Sequence, residues 1–203
     1  MSVNLYQINI QTEDLTKVKS YLSRWLLETY QQQPEITERQ LTLEDFFEHE
    51  SPKLFAVRKL QDGWTTVLHD SYEKLEEFNQ KLSTYFDGLV VHTLGQSTVD
   101  TYYLSVHQRG ELTRELYCGE DTLGVEERGN PLPFESELLF DEVGDSIFID
   151  YIYLEEFCEQ LGIRHLIEAE AIDGTWEVMR ITETTGNPST LIQRFMNKVF
   201  KRT

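Results

Sequence analysis

The chain has 203 residues, with 36 acidic against 18 basic side chains and a formal net charge of -18. Hydrophobic residues at 39% and aromatics at 12% are too abundant for a disordered chain, and the length suffices to bury a core without disulfides. A surface this negative repels nucleic-acid phosphates, so DNA or RNA binding driven by counterion release is not expected.

No apolar run approaches the roughly twenty residues needed for a bilayer-spanning helix, so no membrane association is expected. Cys118 and Cys158 stand forty residues apart with no secretory leader ahead of them. They fit reduced thiols in a cytoplasmic protein better than a disulfide or a metal site.

Residues 3–10 read as an interior strand with Tyr6, Ile8 and Ile10 on one face, and Thr12 is the expected cap of the first helix. Leu15, Val18, Leu22, Trp25 and Leu26 then recur at a spacing that keeps them on one helical stripe. The helix should end before Pro34, with a loop after it. Thr42 and Asp45 stand in capping-box spacing before Phe46 and Phe47, which predicts a short helix closed by Pro52. Residues 53–60 and 64–69 flank Gln61, Asp62 and Gly63, and an Asp-Gly pair between apolar runs signals a hairpin.

Asp70 and Glu73 suggest a capping box for a second helix, which Gly88 would end. Its stripe, Leu75, Phe78, Leu82, Tyr85 and Phe86, repeats the first stripe sixty residues later. Two such stripes need one sheet to cover. The expected fold is therefore α+β: a mainly antiparallel sheet covered by two amphipathic helices, ferredoxin-like or built of duplicated β-α-β units, with a C-terminal helical and hairpin extension.

Residues 89–93, 98–107 and 112–118 should extend the sheet. In the second of these, Tyr102, Leu104 and Val106 are expected on the core side, leaving Tyr103, Ser105 and His107 outward and Tyr103 free for a partner. The composition turns to Gly, Glu and Asp between Gly119 and Asn130. Accordingly the division is a sheet domain over 1–118, an acidic loop or linker over 119–134, and a C-terminal subdomain over 135–203 packed on the first, unless all three form one domain. Asp150 should cap a helix carrying Leu154, Phe157, Cys158 and Leu161, closed at Gly162 and Ile163. Residues 164–172 fit neither period, Asp173 and Gly174 tilt the reading to a second hairpin, and Asn187 and Pro188 start a last helix. That helix carries Arg194, Lys198, Lys201 and Arg202 and no acid, and could fold back on the acidic segment or reach across a homodimer.

Sites of recognised chemistry are absent from the pattern. The histidines His49, His69, His92, His107 and His165 have no zinc-site spacing; His92 and His107 would form a site only if they met across adjacent strands with a Glu or Asp completing it, and otherwise read as surface imidazoles. Asp141, Glu142, Asp145 and Asp150 fail as a calcium loop, since Ser146 and Ile152 stand where Gly and Glu belong. No phosphate loop or nucleophile elbow occurs, so no catalytic residue, metal or cofactor is expected. Fifteen carboxylates crowd residues 111–159 against Arg114 and Arg128 alone. The expectation is a non-enzymatic acidic binding protein of inhibitor, immunity or adaptor type, meeting a basic protein partner through Tyr103, Glu120, Asp121, Glu126 and Glu127. The alternative is an enzyme or small-ligand protein whose site is assembled from dispersed residues under the 119–134 loop.

Overall fold

The computed structural model describes residues 4–46, 49–96, 99–120, 122–138, 141–143, 146–166 and 173–182. Strand β1 (Leu5–Ile10) is followed by helix α1 (Leu15–Tyr30) and strand β2 (Glu35–Gln40). Next come β3 (Leu54–Gln61), β4 (Trp64–His69), helix α2 (Glu76–Phe86), β5 (Leu89–Gln96), β6 (Thr101–Gln108) and β7 (Glu111–Cys118). The remainder is β8 (Glu126–Gly129), the short pair β9 (Asp141–Val143) and β10 (Ser146–Phe148), helix α3 (Tyr151–Gln160) and β11 (Thr175–Arg180). Among the described residues, 9 strands form one antiparallel sheet in the order β2-β11-β3-β4-β1-β5-β6-β7-β8, with β9 and β10 as a separate 2-stranded sheet. The protein is thus a mixed α+β structure, mostly sheet.

Local chemistry explains the helix ends. Asp14 rather than Thr12 caps α1, its carboxylate accepting from Lys17 N at 2.9 Å, while the Thr12 hydroxyl accepts from Asp14 N. Gln31 closes the helix in a left-handed conformation, φ 54°, its N–H reaching Leu27 O. Asp150 caps α3 through Tyr153 N at 2.9 Å, and Gly162 at φ +70° lets Ile163 N reach back to Cys158 O, a Schellman closure.

Asp70 does not cap α2, contrary to the capping-box spacing. It is buried and its carboxylate accepts from Lys53 N and Leu54 N, tying down the start of β3. Leu75, left-handed at φ 47°, turns the chain into α2 without a side-chain cap. The capping box at Thr42 is half realised: Asp45 accepts from both Thr42 N and its hydroxyl around the turn Leu43–Phe46.

The β3-β4 hairpin turns at Gly63, φ +80°, as the Asp-Gly pair implies. On one sheet face Ile8, Ile10, Phe55, Val57, Val67, Val90 and Met179 form a cluster with Val18, Leu22 and Leu26 of α1 and Phe78 and Leu82 of α2. Trp25 meets the Phe55 and Phe78 rings edge-on at 5.6 and 5.1 Å, joining both helices to β3. The opposite face buries Val91, Leu104, Val106 and Leu116 against Tyr153, Leu154 and Phe157 of α3. Leu54, Ala56, Leu68, Trp176 and Val178 continue that face with Leu166.

With both faces covered, the expectation that Tyr103, Ser105 and His107 point outward fails: all three are buried, because α2 packs over β5, β6 and β7 on their side. One further expectation changes. Residues 35–40 and 126–129, read as loop, are the two edge strands of the sheet. Strand β11 lies between β2 and β3, Met179 standing opposite Ile36 and Phe55, while residues 167–172 of the expected second hairpin lie outside the described residues. The expected last helix, from Pro188 onward, lies outside the described residues, as does Phe47.

Candidate functional site

The acidic segment is built on β7 and β8. Registry places Tyr117 opposite Glu126, Leu116 opposite Glu127, Glu115 opposite Arg128 and Arg114 opposite Gly129. Successive residues alternate faces, so the ion pairs alternate too.

On the α3 face, buried Arg114 donates through Nε and Nη2 to Glu135 at 2.7 to 3.0 Å, and through Nη2 to Glu127 at 2.6 Å. Glu135 also accepts from Leu132 N at 2.7 Å, which fastens residues 132–135 to the sheet. Burial alone would lower the Arg114 pKa, but the bonds to Glu135 and Glu127 outweigh it and hold the guanidinium charged. Breaking such a sealed pair from one side costs about 3–5 kcal/mol, because the remaining charge stays buried.

On the α2 face, Arg128 reaches Glu115 at 3.1 Å and Glu76 at 3.4 Å. The Lys74 ammonium lies 3.6 Å from the Tyr117 ring centroid and 5.3 Å from that of Tyr103. The edge is therefore acidic outside and internally braced.

The five expected contact residues separate on this frame. Tyr103 is sealed in a cluster with Tyr6 and Leu94, so it offers no surface to a partner. Glu126 and Glu127 share the exposed outermost strand, although Glu127 is engaged by Arg114. Glu120 is exposed in the turn after β7, and Asp121 lies outside the described residues. Leu123, three residues after Glu120 in the chain, is fully solvent-exposed.

A cavity of ≈ 650 Å³ lies beneath residues 129–134, where the alternative reading puts a site. Leu89, Val106, Leu112, Leu132, Phe134 and Leu161 are among its walls, and none of its lining side chains is ionisable. It offers no acid or base to a substrate.

The histidines are where the sequence reading misses most. Instead of surface imidazoles, His92 and His107 are wholly buried on the α2 face together with His69, and His165 is nearly so on the other. His92 and His107 lie two positions apart on one face of neighbouring strands, since His92 pairs with Ser105 and Val90 with His107. Fixed neighbours settle two tautomers. Ser71 N donates to His69 Nδ1 at 3.3 Å, and His92 Nδ1 donates to the Lys74 carbonyl at 3.0 Å. His69 Nε2 must then donate to His92 Nε2, 3.0 Å away. The Asn79 side-chain amide lies 2.9 Å from His92 Nδ1 and 3.3 Å from the same carbonyl, and beside an Nδ1–H its oxygen is the group that can accept.

Burial, followed by the neighbouring imidazole, drives the His69 pKa well below its ordinary value. Burial likewise takes His92 to about 3 and His107 to about 4. A relay of neutral rings is thus built into the core. Among the described residues no group of three or more His, Cys, Asp or Glu side chains is placed to hold a metal. The signal for burial was present in the continuous apolar runs around Val90 and Tyr102, which mark strands covered on both faces.

Cys118 and Cys158 are free and buried, and burial raises the Cys158 pKa far above its ordinary value, so its thiol is inert packing rather than a nucleophile. No helix of the described residues is long and apolar enough to cross a membrane. No protein-family model, no curated protein and no solved structure matches the chain.

Proposed function

We propose that the protein is a non-enzymatic binding protein whose acidic sheet edge recognises a basic protein partner. One observation carries this: the outermost strand, β8, is exposed at every residue and presents Glu126 and Glu127 along an edge unpaired among the described residues. An open strand edge accepts an added strand through backbone hydrogen bonds, and flanking carboxylates select cationic side chains on it. Exposed Leu123, three residues after Glu120, supplies an apolar contact. Charge of one sign on this rim chiefly speeds encounter and rejects acidic competitors.

A ferredoxin-like core underlies this edge in our reading. Its support is the strand order β3-β4-β1-β5, antiparallel throughout, with α1 following β1 and α2 following β4.

The test begins with affinity capture on the full chain, followed by dissociation constants for the captured protein from about 50 to 300 mM salt. A basic partner whose affinity falls at least about tenfold over that range, and again on Glu120→Lys with Glu126→Lys, fits the proposal. Affinity indifferent to both salt and charge reversal rejects it.

A further inference from the structure

At the opposite corner of the sheet, a cleft of ≈ 660 Å³ is lined by Glu35, Thr37, Arg39, His49, Lys53 and Arg180, with Ile181 and Thr182. On a chain of net charge -18 this is a local change of sign: among the described residues its walls carry Arg39, Lys53 and Arg180 against Glu35, with Asp45 beneath the two arginines.

Registry produces the grouping. Glu35, Thr37 and Arg39 alternate onto one face of edge strand β2, and Arg180 of β11 stands opposite Glu35 on that face. The segment carrying His49 and Lys53 closes the side, held by Ile181 N donating to Lys53 O at 2.8 Å.

A buried anchor aims the arginines. Asp45, with its side chain 3% exposed, accepts from Arg39 Nη1 at 2.7 Å and Nη2 at 2.6 Å, and from Arg180 Nη1 at 3.4 Å. Its remaining acceptor capacity goes to Thr42 N and the Thr42 hydroxyl. One saturated carboxylate therefore orients two guanidiniums without neutralising both, and their side chains remain 34% and 46% exposed. Arg39 spends its Nη1–Nη2 pair on Asp45 and its Nη1 also on the Gln40 carbonyl, so it offers a ligand mainly its charge, whereas Arg180, held by one long bond, has N–H groups left to pair with an oxyanion. The volume falls within the range that holds a small organic ligand rather than a lone ion.

We propose that this cleft binds a small multivalent oxyanion of the phosphate-ester class. Glu35 opposes such a ligand and limits its affinity, a sign that no generally sticky cationic surface would reproduce. The site stands on different residues from the acidic edge, so either can fail alone.

The test is calorimetric titration of the full chain with pyrophosphate, with adenosine monophosphate and with citrate, at constant ionic strength. Saturable 1:1 binding of pyrophosphate or the nucleotide is expected, weakened about tenfold or more by Arg180→Gln and tightened severalfold by Glu35→Gln. Citrate binding as tightly would overturn the phosphate assignment, leaving a carboxylate site. Absence of saturable heat up to millimolar anion, or affinities unmoved by both substitutions, would overturn the cleft as a site. Should Arg180→Gln fail to fold, the exposed Glu35→Gln substitution still decides: unchanged affinity overturns the proposal.

Discussion

Each buried imidazole is held neutral by the fold and takes up a proton when unfolding exposes it to acid. An exposed histidine titrates near 6.5, whereas burial holds His92 at about 3, and His107 and His165 at about 4. Their folded values are depressed, so below 6.5 the unfolded chain binds more protons and the folded state loses stability as pH falls towards 4. The limiting slope is about 1.4 kcal/mol per pH unit for each histidine. Asp70 works against this at the acid end, since burial raises its carboxyl pKa. Urea midpoints at pH 7, 6 and 5 should therefore decline steadily, and His92→Asn should show a shallower decline than the native chain. A pH-independent midpoint over that interval would mean that these rings are not buried and neutral.

Among the elements, β8 shows how little sequence pattern an edge strand needs. Its four residues have no apolar member and all are exposed, so no alternation announces it; backbone pairing to β7 and the Arg114 bond to Glu127 hold it. Strand β2 is similar, with its one apolar side chain, Ile36, 59% exposed. By contrast the α1 and α2 stripes, the Asp-Gly hairpin and the Asp150 cap are legible because each feature encodes its own geometry locally. Asp70 and Tyr103 are not, since a carboxylate before a helix and a tyrosine in a strand read the same until a distant segment covers them. At Gly129, φ +82°, a Cβ would run into the Thr113 carbonyl of β7. Gly129→Ala should accordingly cost about 1–3 kcal/mol from the positive φ and the backbone collision. Amide exchange at β7 and β8 should rise more than in β1 or β4. Equal stability and unchanged exchange would mean that β8 is not fixed by this contact.

Among the described residues, the two edges of the sheet carry local clusters of opposite sign. Carboxylates border β8 and the cationic cleft borders β2 and β11, with β2 and β8 eight strand steps apart, about 40 Å at ordinary strand spacing. Partners of opposite sign can thus approach opposite ends without competing. Such a surplus of acid also repels itself, and added salt should raise the melting temperature by screening that repulsion. Residues 188–203, outside the described residues, hold Arg194, Lys198, Lys201 and Arg202 and no acid. If these cations offset the acidic surface, within one chain or across a dimer, deleting them removes compensation and leaves more repulsion to screen. The truncated chain should then show a steeper rise of melting temperature between about 50 and 500 mM salt than the full chain, most strongly at the low end where the Debye length is longest. Parallel curves for the two proteins would show that the C-terminal cations do not act on the acidic surface, and concentration-independent curves in both would remove the dimer as the route.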